Sequence, residues 1–142
     1  MRASLRTGLI AGAAVLTVLT TTTAATAATT AAPRSPQGYV QRCTDLGNGD
    51  LCIDVTGGVG QTGRIGVGYW KRAGDVVHVR LGWQNTTGGG ANSSKTVHGP
   101  LFPGDNTGTD VWTTYLAAGC VYPLIDVIGQ YTLKGKEVCV PA

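Results

Sequence analysis

The chain reads as an all-β protein. Short segments alternate apolar and polar side chains with a period of two, no segment sustains a helical period, and Gly, Asn, Asp and Thr collect between the alternating runs. Seven to nine short strands separated by such turns predict an antiparallel β-sandwich, with an immunoglobulin-like arrangement as the nearest analogue.

The strongest alternation runs from Ile65 to Trp83. Ile65, Val67 and Tyr69 alternate with Gly66, Gly68 and Trp70; after Arg72-Ala73-Gly74, Val77, Val79, Leu81 and Trp83 alternate with His78, Arg80 and Gly82. A three-residue loop ending in glycine suits a β-hairpin, because the last loop position favours a left-handed backbone. Closing Lys71 on Asp75 sets Tyr69 opposite Val77, Val67 opposite Val79 and Ile65 opposite Leu81. All the large apolar side chains then share one face, which a one-residue slip would expose. The other face carries Trp70, His78 and Arg80, with Gly66 and Gly68 leaving a shallow gap. It is the first candidate for ligand contact, set against the ordinary reading of a solvated sheet surface.

The beginning of the 142-residue chain reads as a targeting segment. Arg2 and Arg6 make a basic start, Gly8 to Leu19 is apolar, and Ala25-Thr26-Ala27 has the small residues a signal peptidase requires. An apolar run this short falls well below the roughly 20 residues of a membrane-spanning helix, so free secretion without a membrane anchor is expected. Residues 28–38 are rich in Ala, Thr and Pro and read as a disordered leader. One domain, residues 39–142, remains. Removing residues 1–27 takes away two arginines and leaves nine basic against eight acidic side chains, a net charge of +1. With so little basic excess, scattered over Lys71-Arg72 and Lys134/Lys136, nucleic acid is not an expected partner.

Four cysteines, Cys43, Cys52, Cys120 and Cys139, form an even set in a chain that reads as exported, so two disulfides are expected. Three connectivities are open. Cys43–Cys52 and Cys120–Cys139 are favoured because each pair brackets an antiparallel turn. Chain entropy does not choose: local loops are worth about 3 kcal/mol each and a long-range bridge about 4.7. A two-residue Asn48-Gly49 turn sets Cys52 beside Asp45 and only diagonal to Cys43, so the local bridge needs a bulge or a longer loop. The spacings do not suit zinc, which favours close ligand pairs such as Cys-x-x-Cys.

Further strands are expected at Tyr39–Cys43, Leu51–Val55, Val111–Leu116, Val121–Ile128 and Gln130–Val140, the last broken by Lys134-Gly135-Lys136. Lys95–Val97 reads as a brief edge strand; Gly104–Asp110 reads as a turn-rich loop. Along Val111–Leu116 either Trp112, Thr114 and Leu116 or Val111, Thr113 and Tyr115 face inward. The signal peptide, the Cys-flanked opening CTDLGNGDLC, the YWKRAGDVVHVRLGW segment and the late GCV and VCV resemble the small exported β-proteins, uncharacterised in function, that are common in actinomycetes. The resemblance implies the location and the fold, and carries no activity or site residue.

Chemistry-bearing residues are sparse. The mature chain has Ser35, Ser93 and Ser94, two histidines and no Gly-x-Ser-x-Gly elbow, so Ser93 or Ser94 with His98 is the one hydrolase arrangement to weigh. Glu137 is the sole glutamate, and most aspartates sit in turn contexts. Asp105, Asn106 and Asp110 offer hard oxygen ligands for calcium, against the simpler reading of a turn. No catalytic residue, metal or cofactor is implied. A non-enzymatic, secreted binding or interaction protein is expected, its partner an extracellular glycan or protein. A carbohydrate-binding module would use exposed Trp70 and Trp112, provided both project from one outer surface. An extracellular protease inhibitor would present Lys95 to Phe102 as an extended loop.

Overall fold

A computed structural model describes residues 38–142; the expected signal peptide, residues 1–27, and all but the last residue of the expected leader lie outside them. Among the described residues ten strands, one more than the upper number expected, follow in order: β1 Tyr39–Asp45, β2 Gly49–Thr56, β3 Gln61–Lys71, β4 Val77–Asn85, β5 Asn92–Ser93, β6 His98–Leu101, β7 Asn106–Leu116, β8 Cys120–Val127, β9 Tyr131–Lys134 and β10 Val138–Cys139. No helix occurs among the described residues. One antiparallel sheet runs β1-β2-β3-β7. The other runs β10-β8-β4-β5, with β6 also on β4 and β9 also on β8.

The two halves of the Ile65–Trp83 segment do not form the expected hairpin. β3 pairs with β2 and β7, whereas β4 pairs with β5, β6 and β8, so residues 72–76 carry the chain from one sheet to the other. The pairs Tyr69–Val77, Val67–Val79 and Ile65–Leu81 are absent. What the loop satisfies explains why. The Arg72 and Ala73 N–H groups both donate to the Asn48 carbonyl, and the Lys71 ammonium donates to the Ala73 carbonyl at 2.7 Å. These bonds fold the loop onto the β1–β2 turn and leave Lys71 without the Asp75 partner that a hairpin requires.

The expected burial nonetheless holds. Ile65, Val67 and Tyr69 are buried from one sheet, Val79, Leu81 and Trp83 from the other, and Val77 is half-buried. Leu51, Ile53 and Val55 on β2 join the first set; Leu101, Val121, Ile125, Val127 and Val138 join the second. β3 meets β4 and β2 meets β8 across this interior. On β7 the inner set is Trp112, Thr114 and Leu116, because Trp112 lies opposite Ile65 in register, and Val111, Thr113 and Tyr115 are exposed.

Both disulfides take the favoured pairing, joining directly opposed residues at Cα separations of 4.0 Å for Cys43–Cys52 and 3.8 Å for Cys120–Cys139. The register difficulty at the first is met by a longer turn: Asp45 pairs with Asp50, the Leu46 N–H bonds the Gly49 carbonyl, and Gly47 takes the left-handed backbone (φ 82°). Two other boundaries differ from expectation. Lys95–Val97 is not a strand, since the Ser94 hydroxyl accepts the Thr96 N–H at 3.1 Å in a local turn, and pairing with β4 comes from Asn92–Ser93 and His98–Leu101 instead. The loop before β7 ends at Asp105, and β7 begins at Asn106.

A substitution pair tests the inner and outer assignment. Ile53→Ala, at a fully buried position, should lower unfolding stability by about 2–5 kcal/mol in urea, whereas the outward-facing Val111→Ala should change it by about 0.5 kcal/mol or less.

Candidate functional site

Even-numbered residues of β2 and β3 point outward from the first sheet, so Trp70, at 55% exposure, stands on that sheet's outer surface near the end of β3. Its cross-strand neighbours are Asp50 on β2 and Asn106 on β7. Beside it the β3–β7 ladder carries a bulge. Thr107 and Gly108 together oppose Tyr69, the Thr107 hydroxyl accepts the Tyr69 N–H at 2.9 Å in place of a ladder bond, and Gly108 adopts a φ of 68°. The extra residue presses the β7 backbone onto Gly68, where an added Cβ would lie 2.8 Å from the Gly108 carbonyl oxygen. A shallow depression of about 240 Å³ results. Gly68 and Cys52 form part of its lining, with Trp70, Asp50, Asn106 and Thr109 around them.

The gap expected over Gly66 is filled. The Asp54 carboxylate folds over it, in the space a Cβ would need. Burial pushes the Asp54 carboxyl above the usual carboxylate range, and the Arg64 guanidinium pulls it partly back. At the end of the sheet, Arg72 pairs with both Asp45 and Asp50, the latter at 3.3 Å, which fixes one wall of the depression.

The other expected contact residues do not join Trp70. His78 and Arg80 lie on β4, in the second sheet, and face outward from the opposite surface of the protein. Once β3 and β4 separate into two sheets, equal parity still turns these residues away from the core, but on opposite outer faces. Trp112 points inward and packs against the core, so the expected Trp70–Trp112 platform is not formed. Arg80 is opposite Asp126, and its buried Nε has no hydrogen-bond partner among the described residues. Nearby on that surface, Lys134 donates to the Tyr122 hydroxyl at 3.0 Å, and that hydroxyl donates to Gln84 at 2.6 Å.

The remaining candidates resolve into structural contacts. His98 Nε2 lies 3.0 Å from an Asp110 carboxylate oxygen, linking β6 of one sheet to β7 of the other; Ser94 is engaged with Thr96. The Asp105 carboxylate accepts the Phe102 N–H at 2.8 Å, and the Asn106 side-chain oxygen accepts the Gly108 N–H at 2.9 Å, both in turns, away from the Asp110 partnership. Among the described residues no group of three or more His, Cys, Asp or Glu side chains is arranged to hold a metal ion. The His98–Leu101 half of the expected inhibitory loop is β-strand on β4 with Leu101 buried, which leaves Phe102 exposed at its end.

One residue was not anticipated. Lys71 has 0% exposure, its ammonium enclosed beneath the 72–76 loop. Its odd number was the signal, since it continues the inward set of Tyr69 and Val67.

The Asp54 environment gives a titration to measure. A raised folded value means that the fold binds this proton more tightly than the unfolded chain, so the contribution is full below the unfolded value and is lost as pH rises through the folded one. The carboxyl midpoint by NMR should lie above the ordinary aspartate value, and Arg64→Ala should raise it further. A midpoint at or below the ordinary value would contradict the burial described. No protein-family model, no curated protein and no solved structure matches this chain.

Proposed function

We propose that this is a secreted, non-enzymatic binding protein that takes extracellular carbohydrate on the outer face of the β1-β2-β3-β7 sheet. The observation that carries the reading is the exposed Trp70 ring beside a shallow, polar-edged depression on a disulfide-braced sheet. Sugar rings present apolar C–H faces and a rim of hydroxyls. An exposed indole suits the first, and Asp50, Asn106 and Thr109 suit the second. The depression is smaller than the roughly 300–1,000 Å³ of enclosed small-molecule clefts, which favours one ring of a longer chain lying across the sheet over an engulfed ligand.

Secretion is supported by the basic, apolar and small-residue order of residues 1–27 and by two intramolecular disulfides, which persist in oxidising compartments. We infer an immunoglobulin-like arrangement from the way the chain changes sheet after β3, after β6 and after β7, with β3 and β7 adjacent in one sheet and β4 and β8 adjacent in the other. The small exported β-proteins of actinomycetes remain the group whose overall design this one resembles.

Co-sedimentation of the exported chain with insoluble polysaccharides tests the reading. Wild type should be retained on at least one glycan and Trp70→Ala should bind at least tenfold more weakly, while His78→Ala and Arg80→Ala bind as wild type. Equal retention of Trp70→Ala and wild type, or no retention on any glycan, removes the carbohydrate proposal.

A further inference from the structure

β7 is the end strand of its sheet, and its two halves are treated differently. The half nearer Asn106 lies against β6, and its charge, Asp110, is turned inward to His98. The half Val111–Leu116 has β3 on one side and, among the described residues, no strand paired to the other. It is uncharged, lacks proline and is rich in β-branched and aromatic side chains, with none of the lysines or prolines that commonly blunt a free edge. The opposite edge of the same sheet is guarded: beside β1, Arg42 donates to the Glu137 carbonyl and the Lys136 N–H donates to Thr44 from the C-terminal segment.

We propose that the Val111–Leu116 edge pairs with the same edge of a second copy of this chain, antiparallel, about a two-fold axis through Thr113. The register is what selects a second copy as the partner. An axis at Thr113 places Val111, 44% exposed, opposite the other copy's Tyr115, 66% exposed, and repeats that pair on the far side of the axis. Directly opposed aromatic and β-branched side chains are favourable cross-strand neighbours. On the inner face the same axis sets the half-buried Trp112 opposite Thr114. No charged residue of either copy meets a like charge within the paired stretch, and the contact closes on itself as a two-fold interface does. The product is a continuous eight-stranded sheet with both Trp70 depressions on one face. The inference does not depend on what Trp70 binds.

Sedimentation velocity of the exported chain between about 1 μM and 1 mM should show a monomer–dimer equilibrium. Tyr115→Glu should weaken dimerisation at least tenfold, and adding Val111→Lys to it should restore the dimer, because the introduced charges of the two copies oppose each other. Thr113→Cys should give a disulfide-linked dimer in air with the native circular dichroism spectrum, which shows that folding is intact. A wild-type chain that stays monomeric throughout, an open-ended polymer, a dimer indifferent to Tyr115→Glu, or failure of the double variant to recover would each overturn the proposal.

Discussion

The structure depends on two apolar stripes that can leave water only by facing each other. Leu51, Ile53, Val55, Ile65, Val67 and Tyr69 supply one; Val79, Leu81, Trp83, Ile125 and Val127 supply the other. Neither sheet can bury its stripe alone, and burial of each large aliphatic side chain is worth about 1.5–3 kcal/mol. This is why the chain changes sheet directly after its most regular strand: a hairpin would set both stripes side by side on one sheet, still needing a cover. The 72–76 crossing is held by Asn48 and by the enclosed Lys71 ammonium, so the Arg72 and Ala73 N–H groups and the Ala73 carbonyl all have partners where the chain leaves the first sheet.

The two lateral seams are closed by different chemistry. Along one, the C-terminal segment lies beside β1, and each edge is braced by a disulfide, Cys43–Cys52 in the first sheet and Cys120–Cys139 in the second. Along the other, closure is local: His98 reaches Asp110 across the gap, and beyond that contact no strand among the described residues pairs with the outer side of β7. The candidate site sits on the outer surface of the same sheet. There a bulge in β7, made by Thr107 and Gly108, opens a depression next to the indole of Trp70. Fold and site thus share one origin, since the register shift that lets β7 bend past Tyr69 also shapes the surface beside it.

Much of this was legible in the residues. Period-two alternation identified the two long strands of the Ile65–Trp83 segment and their inward sets, because parity reports which side a residue faces whatever its strand pairs with. Turn chemistry identified both disulfides. Pairing was less legible, since a hairpin and a crossing between sheets bury the same odd-numbered residues, and Arg72-Ala73-Gly74 suits either. From that single ambiguity came the misplaced contact face: Trp70, His78 and Arg80 share a parity but belong to opposite surfaces. Trp112 could be placed only once its opposition to Ile65 was known, and the β7 bulge rests on a contact between Thr107 and Tyr69, far apart in sequence. Lys71 was readable from parity and obscured by the assumption that it closed a hairpin.

Interstrand nuclear Overhauser effects between backbone protons in the folded, oxidised protein test this account most directly. It predicts contacts between Val67 and Ile53, between Ile65 and Trp112, and between Leu81 and Ile125. Backbone contacts joining Val67 to Val79 and Tyr69 to Val77 would instead place both segments in one sheet, and would contradict it.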